Sequence, residues 1–174
     1  MKKLLCVLMA LCLMMSAALA EEAVELNWSD FEPILEAGGV TGQFYTFDEV
    51  AVKMWVPDGL EPVELSEEDV AKGFIGYFAP EDGSAAVSIV YVDINDSSLE
   101  DYAAYLPETG ATEIETGIVN GLPCVSYKLP EQDSVSVTFT TEAGYALEVT
   151  CTPLSEENAE LVWGAVISSI QATE

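Results

Sequence analysis

The chain has 174 residues, 31 of them Asp or Glu against five Lys; with neither Arg nor His, its formal net charge is −26. It lacks the cations that neutralise phosphates in nucleic-acid binding, and an anionic membrane surface repels it. Without imidazole, Ser-His-Asp and Cys-His catalysis are excluded in their usual forms, and without guanidinium so is a bidentate clamp on carboxylate or phosphate.

Residues 1–20 read as a bacterial secretory signal peptide. Lys2 and Lys3 supply a positive start, Leu4 to Met15 an uncharged apolar stretch, and Ser16-Ala17-Ala18-Leu19-Ala20 small residues at the cleavage site. The apolar stretch is shorter than the ~20 residues a spanning helix needs. Cys6 and Cys12 both follow leucine, where a lipidation site wants a small residue. The expected product is exported, either secreted or held in the cell envelope. Its mature part, residues 21–174, is one acidic domain retaining Lys53, Lys72 and Lys128. Nothing later in the chain is apolar for long enough to span a bilayer. Two remaining cysteines and no His exclude a zinc site of four Cys or of Cys and His.

Trp28 to Ala37 has helical character, with Ser29 and Glu32 at capping-box spacing and Gly38-Gly39 as a stop. Two aromatic and β-branched runs follow, Gly42–Phe47 and Val50–Val56, joined through Asp48-Glu49 and ended by a turn at Pro57-Asp58-Gly59. Ser66 to Gly73 is a short capped helix. Phe74–Ala79 and Ala85–Asp93 form a hairpin about Asp82-Gly83; both are apolar on each face, as central strands are. Ser98 to Leu106 is a second capped helix. Thr112–Val119 and Leu122–Lys128 flank Asn120-Gly121, a strong short hairpin signal. Val135–Thr141 and Tyr145–Thr152 form the last hairpin, and Ser155 is placed to cap a terminal helix carrying Ala159, Val162, Val166 and Ile170. Hairpins joined by helices predict an α+β fold with a predominantly antiparallel sheet and a C-terminal meander, flanked by helices.

A two-residue turn at Asn120-Gly121 pairs Val119 with Leu122, Gly117 with Cys124, Glu115 with Ser126 and Glu113 with Lys128. In the last hairpin Val135, Val137 and Phe139 share a face with Tyr145, Leu147, Val149 and Cys151. Ser136, Thr138 and Thr140 face the other way with Glu148 and Thr150. Two cysteines in an exported domain commonly bridge. With the apolar faces of the two hairpins aligned, however, Cys124 and Cys151 fall on opposite sides of the sheet, which predicts free thiols.

The Ser/Thr/Glu face of the last four strands, with Glu113, Glu115, Ser126, Lys128, Thr138 and Glu148, is a candidate interaction surface; an ordinary solvated face is the competing reading. Trp55 lies on the side of Lys53, away from Val52, Met54 and Val56, as a recognition aromatic or as one buried beneath a helix. Asp93-Ile94-Asn95-Asp96 with Glu100 and Asp101 begins like a calcium loop. Ser98 replaces the glycine and Ala104 the bidentate acid, so a helix-capping turn is the preferred reading. A carboxylate-pair hydrolase has no specific support, because 31 acids make chance pairs.

The aromatic hairpin Phe44-Tyr45-Thr46-Phe47 into Val52–Val56, ending in Val56-Pro57-Asp58-Gly59-Leu60 and followed by hairpin, helix, meander and closing helix, resembles the Mog1/PsbP-like fold across most of the mature chain. Leu60 stands where a Trp is common in that fold. The resemblance implies an α/β/α sandwich and a role in binding or assembly. It transfers no site residue. The expectation is therefore a non-catalytic, exported binding domain for a protein or envelope component, with no catalytic residue, cofactor or metal; the alternatives are an acid-dependent hydrolase using a carboxylate pair and a domain that binds Ca2+ weakly.

Overall fold

The computed structural model describes residues 24–94, 97–141, 144–156 and 158–173. The expected export segment, and Asn95 and Asp96 of the acidic turn, lie outside the described residues. The strands are β1 (Val24–Leu26), β2 (Gly42–Phe47), β3 (Val52–Pro57), β4 (Glu61–Pro62), β5 (Phe74–Ala79), β6 (Ala86–Tyr91), β7 (Thr112–Val119), β8 (Leu122–Leu129), β9 (Ser134–Thr140), β10 (Ala146–Thr152) and β11 (Gln171–Ala172). The α-helices are α1 (Trp28–Gly38), α2 (Glu67–Ala71), α3 (Leu99–Tyr105) and α4 (Ala159–Ser168).

Eight strands form the main sheet in the order β1-β7-β8-β9-β10-β6-β5-β4. Its neighbours are antiparallel except β1 and β7. The aromatic hairpin leaves this sheet and joins β11 in a second one, ordered β11-β3-β2. The main core lies between one face of the large sheet and a layer of α1, α4 and β3. Phe139, Val137, Leu147, Val149, Val87 and Ile89 meet Leu35, Met54, Val56, Trp163 and Ile170 there, all in one buried cluster. On the opposite face α3 covers β7, β8 and β9, and a smaller cluster joins Leu106, Ala111, Val125 and Tyr127 to Leu99, Tyr102 and Ala103. The fold is α+β with helices on both faces, as expected from the hairpins.

Several local expectations are corrected. The helix start at Trp28 is preceded by Asn27 in the cap position, without a side-chain cap bond, so Ser29 and Glu32 do not form the capping box. Ser155 does not cap α4; it hydrogen-bonds Asp133, while Asn158 holds the cap position with a φ of 68°. Ser66 and Ser98 do cap α2 and α3, each in a box with the acid three residues on. β5 and β6 stand towards one end of the large sheet rather than at its centre, and Tyr91 is exposed.

The Asn120-Gly121 turn adopts φ values of 44° and 84°, the pattern of a type I′ turn. The pairs Val119–Leu122, Gly117–Cys124 and Glu115–Ser126 form as expected, but a shift between Thr112 and Glu115 sets Thr112, not Glu113, opposite Lys128. Asn120 does more than turn the chain. Its Oδ1 accepts the Trp28 N–H at 3.0 Å, at the exposed-donor end of α1. Its Nδ2 donates to the carbonyls of Ser168 and Ile170 at 2.6 and 2.7 Å, at the end of α4. Its own N–H donates to Leu26 O at 2.9 Å and ties in β1. Helix ends leave backbone groups without intrahelical partners; here one amide serves two of them.

The Cys124 and Cys151 thiols are free and buried, but for a different geometric reason than the one expected. Cys124 lies opposite Phe139, Phe139 opposite Leu147, and Cys151 opposite Val135. Both thiols therefore face the main core. They are on different sides of β9 and four residues apart along it, roughly 13 Å on the strand rise alone, beyond the reach of a disulfide. Alternation alone misaligns the faces because β8 is apolar on both sides: Val125 and Tyr127 are covered by α3, Cys124 by the main core.

Replacing Asn120 by Asp keeps the acceptor for Trp28 and turns the donors into a carboxylate facing two carbonyls. Urea unfolding of Asn120→Asp is expected to show a loss of about 2–3 kcal/mol at neutral pH, diminishing relative to wild type once that carboxyl is protonated. A second expectation concerns alkaline pH. Burial pushes the Cys124 thiol up to about 11 and the Cys151 thiol up as well, from the ordinary 9.0. The unfolded chain thus loses these protons first, so their contribution is complete below pH 9 and is lost as pH rises towards 11. Urea midpoints measured at pH 7.5 and 10.5 should fall more in wild type than in the Cys124→Ala/Cys151→Ala variant.

Candidate functional site

The sequence-derived candidates do not form one surface. Because Cys124 shares a face with Phe139, so do Ser126, opposite Val137, and Glu115, opposite Ser126. Lys128, opposite Val135, lies on that side too and reaches the start of α4. Its Nζ ion-pairs with Glu113 at 2.7 Å and Glu160 at 3.4 Å. Thr138 and Glu148 are paired across β9 and β10 on the other face, under α3. The expected Ser/Thr/Glu docking face is thus divided between the two sides of the sheet, since the register between β8 and β9 sets Val125 and Tyr127, not Ser126 and Lys128, beside Thr138 and Ser136.

Thr138 and Glu148 belong to a hydroxyl network. Tyr127 donates to Glu148, and its oxygen lies 3.4 Å from both Tyr102 Oη and Thr138 Oγ1. Thr150 donates to Glu148 Oε1 at 3.1 Å and meets Ser136 Oγ at 2.8 Å. Burial first, then the Glu148 charge, drives the Tyr127 phenol well above its ordinary range, so it stays a donor. Among the described residues, the hydroxyls of Tyr127, Thr138 and Thr150 donate to this acid. Satisfied polar groups of this kind order a covered sheet face. Among the described residues no group of three or more Cys, Asp or Glu is placed to hold a metal ion. In the acidic turn, Asp101 is engaged in the Ser98 capping box.

The outer side of the small sheet is different. β2 and β3 pair Gly42 with Pro57, Phe44 with Trp55 and Thr46 with Lys53, which brings these six residues to one face. Trp55 is buried, its indole tilted against Trp28 with centroids 5.5 Å apart. Trp28 in turn meets Phe44 edge-on at 5.4 Å. Phe44 remains 41 % exposed, and Lys53 Nζ stands 5.6 Å from its ring centroid. Gly42 makes room for the indole: a Cβ there would lie 2.5 Å from Trp55 Cε2 and 2.3 Å from Val56 O. On the inner side Tyr45 and Phe47 both pack on Phe78, at 4.7 and 6.3 Å. The hairpin is therefore anchored through its inner aromatics and presents Phe44 outward. Trp55, paired across from Phe44, packs on Trp28 rather than meeting solvent. Phe44 and Trp28 were not singled out as site residues from the sequence, although Phe44's alternation with Gly42 and Thr46 carried the signal.

An antiparallel main sheet with helices on both faces and a closing helix is the Mog1/PsbP-like fold, and this chain has that fold. Among solved structures it is similar to cyanobacterial PsbP (CyanoP) from Synechocystis sp. PCC 6803, with a TM-score of 0.54 and 11% identity over 76% of this chain and 92% of that one. A Bacteroides thetaiotaomicron VPI-5482 structure gives a TM-score of 0.43 at 18% identity over 71% of this chain, which spans 46% of that chain. No protein-family model matches the sequence, and no curated protein matches it significantly. Among the described residues no helix is long and apolar enough to cross a membrane.

Gly42→Ala sets a methyl group against both the indole and the β3 backbone. Overpacking of this kind costs about 1–3 kcal/mol. Urea unfolding should show that loss, accompanied by a red shift of the native tryptophan emission as the stack on Trp55 opens.

Proposed function

We propose that this protein is an exported, non-catalytic binding or assembly domain, and that it binds a protein or envelope component through the outer face of the β2–β3 hairpin. The observation that carries the reading is Phe44, an exposed aromatic packed edge-on against Trp28, which itself lies on Trp55, on a strand without a charged residue. Rigid aromatic side chains lose little entropy on binding and dominate the energetics of many interfaces. The Mog1/PsbP-like resemblance supports the same reading. Nucleic acid is a poor partner: Lys72 pairs with Glu68 at 2.8 Å, Lys128 with Glu113 and Glu160, and Lys53 lies over Phe44. The proposed localisation outside the cytoplasm rests on residues 1–20.

Affinity capture from envelope and secreted fractions of the source organism tests this. Protein carrying Phe44→Ala should lose its specific partner by tenfold or more, as expected for removal of an aromatic hot spot. Val70→Ala, at another exposed apolar position, should retain it. Equal recovery by wild type and Phe44→Ala removes the hairpin face from consideration.

A further inference from the structure

Among the described residues the two sheets have four outer edges, and three of them are short. β1 has three residues, β4 only Glu61-Pro62, and β11 only Gln171-Ala172. Short strands, charge and proline are the usual means of keeping an edge from pairing. The fourth edge, β2, has none of them. It runs six residues, Gly-Gln-Phe-Tyr-Thr-Phe, with no charge and no proline.

The hydrogen-bond polarity of this edge follows from its neighbour. In β3 and the residue before it, Trp55 N–H donates to Ser169 Oγ at 2.8 Å, Ala51 O accepts from Thr173 N–H at 2.9 Å, and Pro57 has no N–H. Odd-numbered β3 residues therefore turn their backbone polar groups away from β2. Antiparallel partners alternate between bonded and non-bonded pairs, so Gly42, Phe44 and Thr46, opposite Pro57, Trp55 and Lys53, direct theirs outward. Gln43, Tyr45 and Phe47 serve the bonds to Val56, Met54 and Val52. Three N–H and three C=O groups thus stand in a row about 13 Å long from Gly42 to Thr46 with its strand rise, and among the described residues no strand pairs with them.

Resting on the binding reading above, we infer that this edge accepts an extended, cationic polypeptide segment as an added strand. Backbone bonds from Gly42, Phe44 and Thr46 supply the ladder, and the exposed Phe44 ring supplies the apolar contact. The charge of the partner follows from the ends of the strand. Asp58, which follows β3 and accepts the Thr41 hydroxyl, is exposed at the Gly42 end of the hairpin. Asp48 and Glu49 follow Phe47 and are exposed as well. A segment with Lys or Arg about five residues apart meets acids at both ends. A second copy of this chain does not: whether two β2 edges ran parallel or antiparallel, acids would face acids, within a net charge of −26 per chain.

Amide hydrogen exchange of the 15N-labelled protein, with and without the decapeptide (Lys-Val)5, tests the inference. Saturating peptide should slow exchange at Phe44 and Thr46 by tenfold or more, while Gln43, Tyr45 and Phe47, already bonded to β3, change little. (Glu-Val)5 should leave all five unchanged. Thr46→Pro removes one outward donor and no β2–β3 donor; it should abolish the protection while the β3 amides retain theirs. Phe44→Lys, which keeps every backbone donor, should weaken (Lys-Val)5 binding by repulsion. If (Lys-Val)5 shifts the Trp28 and Trp55 indole signals but leaves Phe44 and Thr46 exchanging freely, strand addition is wrong and the binding face stands. If it perturbs neither, the cationic-strand inference fails, and the Phe44→Ala capture experiment still decides the binding reading. Protection that grows with protein concentration alone would overturn the inference in favour of self-pairing.

Discussion

The carboxamide of Asn120 joins parts of the chain that no strand pairing connects. It is in the β7–β8 turn, yet its oxygen receives the first N–H of α1 and its nitrogen reaches two carbonyls at the end of α4. α1 and α4 are the helices that close the main core from the side opposite α3. Ser169, immediately after α4, then holds the Trp55 N–H. A path of hydrogen bonds thus runs from the hairpin turn, through the helix ends, to the strand that supports Phe44. The residue type is constrained twice over. Asn tolerates the left-handed backbone of a type I′ turn, and it alone among the residues favoured there offers both a donor and an acceptor side chain.

Once α1 and α4 are fixed, the small sheet has little freedom. Met54 and Val56 enter the core, Tyr45 and Phe47 hold β2 against Phe78, and Gly42 lets the Trp55 indole cross beneath. Tyr45 and Phe47 hold β2 on its inner face and Trp28 meets Phe44 on the other, so the packing that holds β2 comes from its faces and from β3. The remaining edge and the Phe44 ring are what that packing leaves uncovered. A rigid edge is better suited to recognition than a flexible one, because the strand is already ordered before the partner arrives.

The hairpins, their tight Asn120-Gly121 turn and two of the helix caps were legible because each rests on local chemistry: a φ requirement, a two-residue loop, or a serine three residues before an acid. The relation between hairpins was not legible in the same way. β8 carries Val125 and Tyr127 on one side and Leu122 and Cys124 on the other, so hydrophobicity alone could not say which side joins Val137 and Phe139. A one-residue change of register exchanges the faces, and that ambiguity put Thr138 and Glu148 with Ser126 and Lys128. The bulge near Glu113, where φ is 50°, left no sequence mark beyond a threonine-rich acidic strand. β1, β4 and β11, at two or three residues each, are too short for any periodic signal. The aromatic hairpin was read correctly as a hairpin, but its departure into a second sheet depends on β11, which only the closing helix brings alongside.

The distribution of charge accounts for the tolerance of so open an edge. Proteins that leave an uncharged strand unpaired ordinarily risk growth of the sheet by self-association. In this chain the protection is moved off the strand and onto its ends and the molecule as a whole. Screening at physiological salt limits such repulsion to about 8 Å, so the net charge slows encounters while only the acids at the ends of β2 oppose a docked copy directly. Neutral side chains along the strand leave its backbone accessible, whereas a lysine within it would have blocked self-pairing and a cationic partner alike. The same separation explains why Lys53 is compatible with the site: its ammonium is drawn over the Phe44 ring, on the face of the sheet, and does not stand in line with the outward N–H groups.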